Sequence, residues 1–255
     1  MTGDLSKRRP PRDTENDMRD MSTSGRVPAN EPVDEARHQR TVALLQRENV
    51  RYHPYLPVVV LDAKAQVRSA REIAERLMTM WVVCVYSEAR ETGETWEEAQ
   101  RYWTWADEGL GGRLLETLSP EEAVYLATRE PEPREVAKFG WRYECCHVLM
   151  WALGMIDDLG RPENPCNVSA MAQRLWPMKS IDALLAQSRP RPDSDLLDAA
   201  NLILHYDWAC VDARINGRGY PAGLNGEVSV EWHYALNWLV GANENADWDD
   251  ISPDT

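Results

Sequence analysis

The chain has 255 residues, enough for one large domain or two small ones, and 43% of them are hydrophobic, ample for a core. Its formal net charge is −14, from 28 Lys and Arg against 42 Asp and Glu. A surface of that sign repels phosphate backbones and anionic lipid, which argues against nucleic-acid and membrane partners and points to a basic protein partner.

Residues 1–32 are neutral in sum and offer almost nothing to bury, so they read as a disordered tail ahead of a single helical domain over residues 33–255. No apolar leader segment is present at the N-terminus, and the five cysteines form no C-x-x-C pair. Both observations lead to the expectation of a cytoplasmic protein with reduced thiols. A first helix is expected from about Val33 to Asn49. Tyr52-His-Pro-Tyr-Leu-Pro-Val-Val-Val-Leu61 then reads as an extended connector or one short strand.

Ser69 and Glu72 form a capping box ahead of an apolar stripe that includes Leu77, Trp81 and Cys84. Thr95 and Glu98 repeat the pattern for a helix carrying Trp96, Trp103 and Trp105 and stopping at Gly109. Ser119-Pro-Glu-Glu122 is the strongest start signal, for a short helix ending near Arg129, after which Pro131 and Pro133 turn the chain. The stretch Trp141–Ile156 is apolar on all faces and is expected to be the buried central helix. After a loop over residues 157–165, helices are expected over Asn167–Trp176, Asp193–Ile215 and Glu227–Val240. A loop from Gly217 to Gly226 separates the last two. The sum is an all-α fold of about eight helices.

Three polar residues interrupt the central stretch: Arg142, Glu144 and His147. Unpaired charge in a core is costly, so each requires a partner. The candidates are His205, Asp212 and Arg214 on the next long helix and Glu231 and His233 on the last. The first reading of these eight is a network of paired buried charges that fixes helix register, and the second a ligand or catalytic pocket. Glu144-Cys-Cys-His147 has di-iron spacing but no second copy, and a mononuclear zinc site on His147, His205 and His233 with a carboxylate is possible chemistry that ranks below the other readings, so no metal and no cofactor is expected. Adjacent helical residues point about 100° apart, so His147 cannot serve Cys146 as a base. The last 29 residues hold seven carboxylates and no Lys or Arg, and within them the run Asn243–Asp250 reads as an acidic tail docking through Trp248 rather than as a calcium loop.

The ordered blocks Arg68-Ser-Ala-Arg-Glu-Ile-Ala-Glu-Arg76, Leu118-Ser-Pro-Glu-Glu122, Trp141-Arg-Tyr-Glu144 with Trp151-Ala-Leu-Gly154, His205-Tyr-Asp-Trp208 with Asp212-Ala-Arg214, Glu231-Trp-His-Tyr-Ala-Leu-Asn-Trp-Leu239 and Trp248-Asp-Asp-Ile-Ser-Pro-Asp-Thr255 resemble an uncharacterised bacterial family, a domain of unknown function. The resemblance covers most of residues 35–255 and implies a mainly helical domain, with no activity attached. Where similar proteins carry Glu-Arg-His, this chain has Glu231-Trp232-His233, and the vicinal Cys145-Cys146 is a second departure. With no complete catalytic motif, the expected function is an acidic protein-interaction module of accessory or toxin-neutralising type. The alternative is an enzyme or small-molecule binder using the polar cluster.

Overall fold

Capping boxes and prolines set the helix starts. In the computed structural model, which describes residues 32–254, Ser69, Thr95 and Ser119 each accept the N–H of the Glu three residues on, and each Glu returns a bond to the cap backbone. The helices are α1 (Pro32–Arg47), α2 (Ala70–Glu91), α3 (Trp96–Ala99), α4 (Arg101–Gly109), α5 (Leu114–Thr117), α6 (Pro120–Ala127), α7 (Pro133–Trp141), α8 (Tyr143–Ala152), α9 (Val168–Leu175), α10 (Ile181–Gln187), α11 (Asp193–Ile215) and α12 (Gly226–Leu239). The fold is all-α, and among the described residues no segment pairs as a strand. The connector over residues 52–61 stays unpaired and ends in a 3-10 turn, Asp62–Lys64. The tail expected over residues 1–32 lies, apart from Pro32, outside the described residues.

The body is cut into more and shorter helices than the eight expected. The Thr95–Gly109 pattern breaks at Gln100 because its tryptophans are anchored to different elements. Trp96 Nε1 donates to the Leu126 carbonyl at 2.9 Å, and Trp105 Nε1 donates to the Trp176 carbonyl at 3.3 Å. The central stretch also divides. Pro133 opens α7 instead of turning the chain, since a first-turn proline gives up no helical hydrogen bond, and the helical path is interrupted at Arg142 before α8. All of α8 is buried except the partly exposed His147. It does not organise the core alone: α2 is buried from Met78 through Ser87 without a break and packs against α4, α7, α8 and α10. Helices α11 and α12 form the other large packed pair, with α12 also against α8.

Helix α1 is held by polar contacts more than by its apolar side. Arg37, 2% exposed, donates from Nε to Asp198 Oδ1 of α11 at 2.8 Å, pairs with Asp34 at 3.3 Å, and bonds Asp62 at the 3-10 turn. One buried guanidinium thus joins three segments, which is the condition under which a buried charge is tolerated.

Gly154 ends the α8 path. Its φ of +67° is left-handed, and a Cβ there would lie 2.1 Å from the Arg189 carbonyl oxygen. That close approach lets Arg189 and Arg191 N–H groups cap the Leu153 and Ala152 carbonyls at 2.8 and 2.9 Å, while Arg191 Nε donates to the Trp151 carbonyl at 2.9 Å. Gly154→Ala is therefore expected to cost about 3 kcal/mol, from αL strain and displaced backbone. Urea unfolding checks this, and an unchanged midpoint would remove the packing role assigned to Gly154.

Candidate functional site

The polar residues of α8 find their partners on α12. Arg142, 8% exposed, donates from Nη1 to Glu231 Oε2 at 2.8 Å, and its guanidinium carbon lies 3.9 Å from the Tyr234 ring centroid and 6.0 Å from that of Trp248. Burial works against the Arg142 charge, but its charged neighbours, the Glu231 carboxylate among them, outweigh it and hold the guanidinium above its ordinary pKa. The Cys145 thiol donates to Glu231 Oε2 at 3.2 Å. Burial first, then Glu231, push that thiol well up, so Cys145 stays protonated and is no nucleophile at neutral pH.

Glu144, 2% exposed, takes its bonds from neutral donors: the Cys166 N–H at 2.7 Å and Trp232 Nε1 at 2.9 Å. Trp232 also stacks on His147 with centroids 5.5 Å apart, and burial lowers the His147 pKa toward the neutral form. His233 Nδ1 lies 2.9 Å from Asp207 Oδ2 on α11, both buried. Asp207 lies in one of the quoted sequence blocks but not among the eight candidate residues; the available signal was a carboxylate on the otherwise apolar side of α11 with His233 in need of a partner.

Three residues expected in the cluster lie elsewhere. His205 is fully buried against His38 (centroids 5.6 Å) and Tyr52 (6.5 Å), with neither ring nitrogen hydrogen-bonded among the described residues. Burial first, then His38 and His53, lower its pKa to about 4. Asp212 pairs with Arg218 and, at 3.6 Å, with Arg51, and Arg214 is exposed. Of the eight, Arg142, Glu144, His147 and Glu231 therefore meet between α8 and α12, His233 pairs with Asp207 of α11, His205 sits in a separate nest, and Asp212 and Arg214 stand apart from all of these. The three histidines considered for zinc have different neighbours, and among the described residues no group of three or more His, Cys, Asp or Glu is placed to hold a metal ion.

The Arg142 junction carries the C-terminal segment. Trp248, 6% exposed, packs edge-on to Tyr234 and Trp238 with centroids 5.0 and 5.4 Å away, and Arg76 covers its ring at 5.1 Å. The Tyr234 hydroxyl donates to the Trp248 carbonyl, and Arg68 Nη2 to that of Ala246 at 2.8 Å. Arg76 itself grips Glu122 of α6, with both carboxylate oxygens at 2.7 Å. Between this segment and the starts of α2 and α6 lies a cleft of about 820 Å³, lined by seven carboxylates against Arg68, Arg76 and Arg113. Of these carboxylates Glu116, Asp247 and Asp250 accept no hydrogen bond and make no ion pair among the described residues. No helix among the described residues is long and apolar enough to cross a membrane.

Residues 37–251 match the model of a family described as a domain of unknown function (DUF4272), which confirms the resemblance at family level. No curated protein and no solved structure matches the chain.

Two outcomes follow from this geometry. Arg142→Met strands Glu231 and should cost about 3–5 kcal/mol, whereas the double variant Arg142→Met/Glu231→Met should lose markedly less than the two singles combined. Additive losses in denaturant unfolding would mean the pair is not coupled. The His205 pKa is lowered in the fold, so below an unfolded value of roughly 6.5 the unfolded chain binds a proton that the native state refuses. Stability should fall as pH drops from about 6.5 toward 4, by up to about 3 kcal/mol from this residue. His205→Leu should flatten that slope, and an unaltered slope would assign it to other groups.

Proposed function

We propose, for a chain that belongs to the DUF4272 family and takes no activity from that membership, that it is an acidic protein-interaction module whose cleft beside the docked C-terminal segment receives a basic segment of a partner protein. The observation that carries this reading is the group Glu116, Asp247 and Asp250, carboxylates without partners in a cleft whose lining sums to four negative charges. Arg68 over Trp238 at 5.0 Å and Arg76 over Trp248 at 5.1 Å are intramolecular examples of a cation held between indole and carboxylate, the arrangement a partner Lys or Arg would adopt. Leu115, 76% exposed beside Glu116, adds apolar surface for the same contact. An accessory or toxin-neutralising role beside a basic protein fits these features.

A second reading, a small-molecule or catalytic site on the polar network, is favoured by one observation. Asp207, which holds His233, also lines a pocket of about 380 Å³ with Cys210, Arg214, Tyr220 and Glu227. Asp207→Asn that abolished a cellular role while leaving thermal stability intact would favour it over the interaction module.

The interaction reading predicts that a Lys/Arg-rich peptide binds by calorimetry at about 50 mM salt and weakens at about 300 mM. The variant Glu116→Gln/Asp247→Asn/Asp250→Asn should lose at least about tenfold in affinity with unchanged unfolding. Equal binding by that variant would move the interaction away from the cleft.

A further inference from the structure

The chain between α12 and the docked C-terminal segment takes a conformation that its residues resist. Gly241, Asn243, Glu244 and Asn245 have φ of +70°, +52°, +60° and +61°, so the turn is left-handed almost throughout. In that region the Cβ of an L-residue crowds the following carbonyl oxygen. Glycine visits it freely and asparagine occasionally, but as single residues, not in runs. Glu244 is the clearest case. Its side chain is exposed and makes no hydrogen bond or ion pair among the described residues, so nothing local offsets its backbone strain. Asn245 adds a second cost, because its Oδ1 is buried without a hydrogen-bond donor among the described residues.

Backbone strain persists only where surrounding contacts over-determine it. Here those contacts lie on both sides of the turn. Before it, Gly241 is pinned against the chain leading into α2, where a Cβ would lie 2.7 Å from the Gln66 carbonyl oxygen. After it, Trp248 fills the cage of Tyr234, Trp238, Arg76 and Arg142. Asp249 Oδ2 accepts the Glu121 N–H of α6 at 2.8 Å, Asn237 Nδ2 donates to the Ser252 carbonyl at 3.1 Å, and Asn243 Oδ1 accepts the Ser252 N–H at 3.2 Å. The hold is a set of point contacts from side chains, and these part together once Trp248 leaves its cage.

We infer that residues 246–252 are a spring-loaded strap: the left-handed turn holds strain that only docking sustains, so the segment opens as a unit and in opening dismantles the acidic cleft. The consequence for binding rests on the interaction reading above. Asp247 and Asp250, two of the three carboxylates that carry that reading, ride on the strap together with Trp248. A basic segment therefore binds the docked form, and by linkage its binding holds the strap shut.

Hydrogen–deuterium exchange of the full chain under native conditions tests this at the Asp250, Ile251 and Ser252 amides, which bond to the Asp247 carbonyl, the Trp248 carbonyl and Asn243 Oδ1. Glu244→Gly, at an exposed position, removes the left-handed penalty and should slow exchange there by at least about threefold, the greater freedom of glycine in the open form offsetting part of the gain. Glu244→Ala removes the same charge but keeps the Cβ, and should stay within about twofold of the wild type. The middle of α11 should respond to neither. A saturating oligolysine peptide at about 50 mM salt should slow the same amides in the wild type. Unchanged exchange in Glu244→Gly overturns the strap, and so does equal slowing in Glu244→Ala, which would assign the effect to charge. A peptide that binds without slowing these amides overturns the assignment of the docked form as the binding form. If no basic peptide binds the wild type, the interaction reading falls instead, and the glycine and alanine variants still decide the strap.

Discussion

The Arg142–Glu231 pair is the constraint on which the C-terminal half depends. It stands at the break between α7 and α8, reaches α12, and lies under Tyr234 and near Trp248. A guanidinium taken out of water at such a place needs a carboxylate and aromatic faces together, and all of them come from residues after 230. The same charge that makes α8 expensive to bury therefore specifies which surface of α12 it meets and where the terminal segment rests. Glu144 and Trp232 repeat the device one step further along both helices, with a neutral indole donor in place of a cation.

Much of the fold was legible because its signals are local. Ser69, Thr95 and Ser119 cap as their spacing predicts, and α11 runs from Asp193 to Ile215 as its pattern and the following Asn216-Gly217 indicate. The divisions were not legible. Gly140 is the one local weak point near Arg142, and what the divisions accompany is where Trp96, Trp105 and Arg142 reach in space, a tertiary effect that periodicity does not carry.

The polar cluster divides on the same principle. Polar residues in apolar helices correctly signalled a need for partners, and Arg142, Glu144, Glu231 and His233 have them. Yet the partner identities depend on rotation about each helix axis. His205 shows the cost of that ignorance: it sits beside Asp207 in sequence, but it faces α1 and the connector while Asp207 faces α12. Acidic composition likewise gave the sign of the surface but not the mixture of carboxylate and arginine in the cleft beside Trp248.

The central claim is that Arg142 couples the core to the docked C-terminal segment, and hydrogen–deuterium exchange on Arg142→Met under native conditions addresses it most directly. Residues 243–252 should lose protection while α2 and the middle of α11 keep theirs, because only the former rest on the Arg142, Tyr234 and Trp248 contacts. Protection of residues 243–252 identical to that of the wild type would contradict the account.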